Sequence, residues 1–199
     1  MRKLLAVFCL VSACSLTLAA TGPAVTNAYA DSKGWVHIIT SDGRDHTIKP
    51  EKWQAGGGFK DVDVAPDGRT VGWLADQMLT PLEGATNYSY AVALELYIWR
   101  DGRVIRRFPA SAFAIQDWTF LKHGNEVAFH VAPPHGRESY DCSLFDVNTG
   151  KELASWAIDR KDYIVPAWAK PLLVNESLPG PDEISNWFPD APTPTKKAP

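Results

Sequence analysis

The feature that most constrains the fold of this chain is a strand, a tight turn and a second strand within residues 59–73. Pro66, Asp67 and Gly68 lie at the centre of this segment. Proline fixes φ at the first central position of a turn, and glycine adopts the positive φ that closes it. Since β-rich residues flank the turn on both sides, the segment predicts a β-hairpin.

The first strand of this hairpin alternates in sequence, so its residues are expected to point to the two faces in turn. Strict alternation places Phe59, Asp61 and Asp63 on one face. Val62 and Val64 then face the opposite way. Two carboxylates about 7 Å apart on one face are compatible with glycoside hydrolysis. Acidic side chains beside a turn also bond backbone amides, so both roles stay open for this pair.

The strand–turn–strand pattern recurs later in the chain. Residues 115–129 align with residues 59–73 at an offset of 56, and residues 144–153 align with residues 96–105 at an offset of 48. Residues 38–44 align with the hairpin at residues 96–105. The glycines at the predicted turns are Gly68, Gly102, Gly124 and Gly150. The chain therefore predicts an all-β fold of half a unit and two whole units of four antiparallel strands, about ten strands in all.

Residues 63–73 resemble the Ser-Pro-Asp-Gly signature of WD-like β-propeller repeats of the TolB type, in which it joins the two inner strands of a blade. Ala65 stands in place of the usual serine, and the second copy keeps only Gly124. The resemblance covers about residues 35–158 and implies about two and a half blades of a partial or incomplete β-propeller. It implies little about function, since propellers host binding, scaffolding and catalysis alike.

A propeller has at least about four blades, so an incomplete set leaves sheet faces that must be covered. The resemblance therefore implies self-association into a ring, blades supplied by a partner protein, or an open stack closed by the C-terminal segment. We expect the stack, because Trp168, Trp187 and Phe188 are suitable covers. A homo-oligomer that completes the blades is the second expectation.

The chain divides into three segments by composition. Residues 1–30 have the pattern of a secretory signal peptide, with a basic start, an apolar run and small residues at Ala28 and Ala30 before a cleavage site. Residues 31–165 form the predicted propeller-like repeat domain. Residues 166–199 hold eight of the fifteen prolines. Proline lacks the amide donor that a sheet interior needs, so this segment is expected to end in a disordered tail.

The signal peptide predicts a secreted protein, periplasmic in a bacterium, with no membrane span after cleavage. Two alternatives stay open. The apolar run is about long enough for a retained anchor, and residues 11–14 resemble a lipoprotein signal in which Cys14 becomes the lipidated N-terminus. The formal net charge of −3 argues against nucleic acid and against an anionic membrane surface as partners.

Catalytic and metal-binding patterns are weak in this sequence. No Gly-x-Ser-x-Gly nucleophile motif occurs. Cys142, the only cysteine left after the predicted cleavage, is expected in the core, with a nucleophilic role beside a histidine as the alternative. His130, His135 and Asp141 are zinc-ligand types, but their spacing matches no common site. No catalytic residue, metal or cofactor is therefore predicted.

The best candidate for a binding surface is the long insertion at residues 74–90, because long loops on a rigid scaffold commonly carry function. Its candidate binding residues are Leu79, Thr80, Tyr88 and Tyr90. The sequence thus predicts a non-catalytic binding or scaffold protein that contacts a protein or an envelope component. The alternatives are a small secreted hydrolase, the accessory domain of one, or an insertion without a role.

Overall fold

The computed structural model describes residues 22–52, 56–79, 90–110, 113–133, 141–157 and 164–174. These residues hold eleven β-strands in three antiparallel sheets. The first sheet has the order β1-β2-β3, with β1 at Val25–Ala30, β2 at Val36–Thr40 and β3 at Asp45–Ile48. The second sheet has the order β4-β5-β6-β7, with β4 at Phe59–Val64, β5 at Thr70–Leu79, β6 at Tyr90–Arg100 and β7 at Arg103–Pro109. The third sheet has the order β8-β9-β10-β11, with β8 at Ala114–Leu121, β9 at Glu126–Ala132, β10 at Asp141–Asp146 and β11 at Glu152–Trp156. The all-β class and the repeated four-stranded antiparallel sheets are confirmed.

Two apolar layers separate the three sheets. The first layer, between the first and second sheets, contains Val36, Ile38, Phe59, Val71, Trp73, Ala75, Tyr97 and Trp99. The second layer, between the second and third sheets, includes Leu74, Leu96, Ile98, Phe108, Ile115, Phe120, Val127 and Phe129. Full burial of one large apolar side chain contributes about 1.5–3 kcal/mol. These layers are therefore the main source of the stability of the stack.

The second layer is tight where Gly72 of β5 meets the third sheet. A Cβ atom added at Gly72 would lie 2.5 Å from Cη2 of Trp118 and 3.0 Å from Cζ of Phe120. The rings of Trp118 and Phe120 meet edge to face, with their centroids 5.1 Å apart. Because protein interiors are close-packed, these rings occupy the space that any larger residue at position 72 would need.

Strand β4 departs from the strict alternation that its sequence predicts. Asp61 has a φ of 51°, and the pairing of β4 with β5 shifts register at this point. This is a β-bulge, which adds one residue and changes the face of those that follow. Phe59, Val62 and Val64 consequently all contact the first layer. The prediction that Phe59 shares a face with Asp61 and Asp63 is therefore wrong. Asp61 and Asp63 are both exposed, and their role as a carboxylate pair stays a prediction.

Strand β1 lies inside the segment that the sequence predicts to be a signal peptide. It pairs antiparallel with β2, and its Val25 and Ala28 side chains pack against the first layer. The amide of Val25 also donates a hydrogen bond to the carbonyl oxygen of Gly68 in the second sheet, at 2.8 Å. The first sheet therefore has three strands where the repeat alignment predicts a two-stranded half unit. Cleavage after Ala30 would remove β1 from the folded protein.

The outer face of the third sheet is covered by the chain that follows it. A 3₁₀ helix at Lys170–Leu173 packs on this face. The buried cluster beneath it contains Ala128, Cys142, Leu144, Trp156, Ala169, Leu172 and Leu173. Trp168 is partly buried against the same cluster, so its predicted role as a cover is confirmed. Trp187 and Phe188 lie outside the described residues.

Candidate functional site

The three sheets share two ends that differ in how their strands are connected. At one end, which we call the turn end, connections of at most five residues join β2 to β3, β4 to β5, β6 to β7, β8 to β9 and β10 to β11. The opposite end, the loop end, is where the described strands on either side of residues 49–58, 80–89 and 133–140 begin or end. Arg100 holds neighbouring turns together, since it donates to the Gly124 carbonyl oxygen at 2.9 Å and to Asn148 Oδ1 at 2.7 Å. Because the connections at the turn end have at most five residues, every connection of eight or more residues between two strands leaves the loop end.

Tight turns close the turn end. Its turn glycines have φ values between 65° and 88°, and they are Gly43, Gly68, Gly102, Gly124 and Gly150. Asp67 fixes the first turn, because its carboxylate accepts hydrogen bonds from the amides of Arg69 and Thr70, both at 2.8 Å. Pro66 is exposed just before it. The contacts of these residues are those of a structural turn.

The longest hairpin of the described chain projects from the loop end. Strands β5 and β6 remain paired to their last residues, where Leu79 lies opposite Tyr90. The two outer strands of the sheet stop earlier. Pairing of β4 with β5 ends at Ala75, and pairing of β7 with β6 ends at Glu95. Beyond these points the hairpin continues as a two-stranded extension, which we call the arm. The arm consists of residues 76–79 and 90–93.

Two of the four predicted binding residues lie at the tip of the arm. Leu79 and Tyr90 are partners across the hairpin, and both are partly exposed. Thr80 and Tyr88 belong to residues 80–89, which lie outside the described part of the chain. The described arm therefore presents one aliphatic and one aromatic side chain together at its tip.

The base of the arm is fixed by contacts with the rest of the second sheet. The Asp76 amide donates to the carbonyl oxygen of Gly58 at 2.8 Å. Lys60 Nζ lies 3.1 Å from Asp76 Oδ1. Burial raises the pKa of the Asp76 carboxyl, and Lys60 opposes this rise. The resulting ion pair ties β4 to the start of the arm.

The first long connection is held at its start by a contact with β7. Glu51 forms an ion pair of 2.5 Å with Arg107, whose guanidinium lies 4.7 Å from the ring centroid of Tyr97. Burial, followed by the nearby Glu95 carboxylate, raises the pKa of the Tyr97 hydroxyl. Tyr97 therefore keeps its proton at neutral pH and offers no phenolate for catalysis.

A histidine between two carboxylates lies on the open face of the first sheet. His37 Nδ1 is 3.0 Å from Asp45 Oδ2, and its Nε2 is 3.5 Å from Asp31 Oδ2. The Tyr29 ring stacks on the imidazole, with the two centroids 5.1 Å apart. The hydrogen bond to Asp45, and then the contact with Asp31, raises the pKa of His37. Because both ring nitrogens face a carboxylate, the cluster stabilises an imidazolium and leaves neither nitrogen to act as a base.

The charge of His37 makes the stability of the fold depend on pH. Since its folded pKa is raised above the unfolded value of about 6.5, the cluster stabilises the fold below that pH, and this contribution is lost as the pH rises through the folded pKa. We therefore expect a lower urea midpoint at about pH 8 than at about pH 6. In the His37→Gln variant this difference should shrink. An unchanged difference would show that another group is responsible.

The sequence left open a nucleophilic role for Cys142 beside a histidine, and backbone pairing places a histidine next to this cysteine. Cys142 of β10 lies opposite His130 of β9, and Asp117 of β8 pairs with His130 from the other side. Cys142 and His130 are each 1% exposed. Burial raises the pKa of the Cys142 thiol to about 12, so the thiol is protonated at neutral pH. A buried, protonated thiol is a core residue and not a nucleophile.

The burial of Cys142 predicts a slow reaction with thiol reagents. In a chain that begins at Gly22, where Cys142 is the only cysteine, we expect a disulfide reagent to react about a hundredfold more slowly at neutral pH than after unfolding. Absorbance of the released thiolate measures both rates. Rapid modification of the folded protein would contradict the burial of Cys142 and would support its alternative role as a nucleophile.

Metal binding has no support in the described residues, which hold no group of three or more His, Cys, Asp or Glu side chains placed for one ion. Of the three residues considered for zinc, His130 and Asp141 are described and His135 is not. Nor does the described part of the chain contain a helix that is both long and apolar enough to cross a membrane.

No model of a known protein family matches this chain, and a search of curated proteins finds no similar sequence. The propeller resemblance therefore stays a prediction.

Proposed function

We propose that this chain is a secreted, non-catalytic binding protein that contacts a protein or a component of the cell envelope through its loop end. One observation carries the proposal: the long connections and the arm leave one end of a stack whose opposite end is closed by tight turns. Loops on a rigid scaffold are where binding residues concentrate. The two apolar layers supply that rigid scaffold, which limits the entropy lost when the loop end binds.

The chemistry of the arm fits a protein contact better than a contact with a charged polymer. Asp76 is its only charged residue, and Lys60 already neutralises that carboxylate. The remaining residues near the tip include Met78, Leu79 and Tyr90, all partly exposed. Methionine and aromatic residues are enriched at protein interfaces, and acidic and lysine side chains are depleted there.

A non-catalytic role is supported by the state of the groups that the described residues place together. The Cys142 thiol and the Tyr97 hydroxyl hold their protons at neutral pH. His37 is engaged by two carboxylates. None of these groups in the described chain pairs an activated nucleophile with an available base, which the hydrolase alternative requires.

We further propose that the three sheets are blades of an incomplete propeller that does not close by self-association. The layers between neighbouring sheets are apolar. One outer face of the stack is covered by residues 164–174, and the other carries Tyr29, His37 and Asp45. The apolar outer face of the third sheet is thus already covered, and the open face of the first sheet carries polar side chains. Light scattering should therefore give the mass of a single chain, and a discrete dimer or larger ring would contradict this proposal.

The proposed secretion requires a leader whose removal leaves the fold complete. Cleavage after Ala30 would remove the strand that pairs with β2 and that bonds to the second sheet through Val25. We therefore place the end of the leader before Val25. Sequencing the N-terminus of the exported protein tests this placement, and a mature chain beginning at Asp31 would contradict it.

Shortening the connection between the two strands of the arm tests the proposed function. Residues 80–89 can be replaced by Asn-Gly, since a two-residue turn joins antiparallel strands such as β5 and β6 without changing their register. A control variant carries Arg44→Ala and Lys151→Ala at the turn end, where both side chains are exposed. Both variants should melt near the wild-type temperature.

Chemical crosslinking in cells that produce the protein then measures partner capture. We expect wild type and the control variant to capture the same envelope partner and the shortened variant to lose it. A shortened variant that keeps its partner, or a wild type that captures none, would contradict the proposal.

A further inference from the structure

A cavity of about 440 Å³ lies at the turn end, opposite the arm. It is formed by the β6–β7 turn of the second sheet and the β10–β11 turn of the third. The polar residues that line it are Arg100, Asp101, Arg103, Arg106 and Asn148. Pockets for small molecules have volumes of roughly 300–1,000 Å³. The cavity is therefore large enough for a small ligand, and its lining is dominated by arginine.

The positive charge of these arginines is only partly neutralised. Asp101 is bonded to a fourth arginine, Arg69, and Arg100 has its nearest carboxylate at Asp67, 3.8 Å away. Hydrogen bonds from Thr149 lower the pKa of the Asp146 carboxyl, and the charge of nearby Arg106 adds to this effect. The Asp146 carboxylate, however, is held by Thr149, whose amide donates to it at 2.7 Å. Four arginines thus share three carboxylates, so a chain of net charge −3 gathers surplus positive charge at this cavity.

Two partly buried arginines of the cavity bond mainly to neutral atoms. Arg100 donates to Thr70 Oγ1, to the Gly124 carbonyl oxygen and to Asn148 Oδ1. Arg106 donates to the carbonyl oxygens of Ile105 and Asn148. These bonds hold both guanidinium groups in fixed positions without neutralising them, which prepares them for a charged ligand.

Several arginine donors remain unused at the turn end. The Nε atoms of Arg106 and Arg69 are buried and have no hydrogen-bond acceptor in the described part of the chain. The Arg103 side chain is exposed and forms no ion pair with any described residue. Burying a donor of a charged group without an acceptor is costly, so such atoms call for a missing partner. Arg103 and Arg106 both line the cavity, so an anion inside it would meet two cationic side chains.

We propose that this cavity binds an anion that carries at least two negative charges on phosphate oxygens, such as a diphosphate or a phosphate ester, with Arg103 and Arg106 as its main contacts. Guanidinium groups match phosphate oxygens in charge and in geometry. Val104 and Ile105 also line the cavity and would contact the organic part of an ester. The site lies at the opposite end from the arm and does not depend on the proposed function.

Calorimetric titration with inorganic pyrophosphate at low ionic strength tests this site. The informative variant is Arg103→Glu, because this exposed side chain has no ion pair to lose within the described residues. Lys170→Glu is the matched control, since it makes the same change of charge at an exposed position outside the cavity. Wild type should bind saturably, and its affinity should fall with added salt.

The two variants show whether pyrophosphate binds at the cavity or is attracted by the overall charge of the protein. We expect Arg103→Glu to weaken pyrophosphate binding by about tenfold or more, and Lys170→Glu to change it by less than about twofold. No saturable binding by wild type, or an equal loss in both variants, would overturn the proposal.

A second experiment measures binding to vesicles of phosphatidylcholine with and without phosphatidic acid. Vesicle binding that Arg103→Glu abolishes would place the phosphate on a lipid, and pyrophosphate binding alone would place it on a soluble molecule.

Discussion

A chain that begins at Asp31 is expected to lose about 3 kcal/mol or more of unfolding free energy relative to a chain that begins at Gly22. The shorter chain lacks β1, which pairs with β2 along its length and packs Val25 and Ala28 against the first layer. Its loss would expose the edge of β2 and part of that layer to water. Urea unfolding of both chains, followed by tryptophan fluorescence, measures the difference.

The control for this comparison is a Gly22 chain with Thr26→Ala. Thr26 is exposed, and its hydroxyl donates to the carbonyl oxygen of Ile39 at 3.1 Å. This variant removes one surface hydrogen bond and keeps the strand, so its effect should stay below about 1 kcal/mol. Equal stability of the Asp31 and Gly22 chains would show that β1 contributes nothing, and it would contradict the proposal that the leader ends before Val25.

Replacing Gly72 with alanine is expected to lower the free energy of unfolding by about 2 kcal/mol. Alanine is otherwise acceptable in a strand, so the cost comes from the contact with the third sheet. The added methyl group would lie 2.5 Å from the Trp118 ring, which must move and loosen the second layer. Urea unfolding of the variant measures this cost directly.

A double-mutant cycle assigns that cost to one contact. Trp118→Leu destabilises the fold by itself, but it frees the space beside Gly72. In the Trp118→Leu background, Gly72→Ala should lower the free energy of unfolding by less than about 0.5 kcal/mol. The effects of two substitutions are not additive when the residues are in contact. If the cost is the same in both backgrounds, the second and third sheets do not meet at Gly72 in the way described.

Local sequence was sufficient to predict the turns and the repeated sheets. The Asp67 carboxylate bonds residues two and three positions later, so the first turn is determined by neighbouring residues. The bulge in β4 was not predictable in this way. Its sequence alternates regularly, and the positive φ of Asp61 arises where β4 must keep Phe59, Val62 and Val64 against the first layer.

Strand β1 was missed because two patterns overlap in residues 25–30. The small residues Ala28 and Ala30 are what a signal peptidase requires, and they also occupy a strand without difficulty. The β-favouring residues Val25, Thr26 and Tyr29 were the signal for a strand. Only pairing with β2 distinguishes the two interpretations, and pairing is not visible in a single segment.

The arginine cavity shows a similar limit for sites. Three arginines within residues 100–106 were visible in the sequence. Which of their donors are used depends on Asn148, which lies 48 residues after Arg100 and 42 after Arg106. The sequence predicted a loop at residues 74–90, whereas residues 74–79 and 90 belong to the paired strands β5 and β6. The position of this hairpin at the same end as the other long connections follows from how the three sheets stack.

The claim that binding takes place at the loop end is tested most directly by site-specific photo-crosslinking. A photoreactive phenylalanine analogue is placed at Tyr90, at the tip of the arm, or at Lys151, which is exposed at the turn end. In cells that produce the protein, we expect the analogue at Tyr90 to form a discrete crosslinked product and the analogue at Lys151 to form none. Crosslinking from Lys151 without crosslinking from Tyr90 would contradict the claim and place the binding surface at the opposite end of the stack.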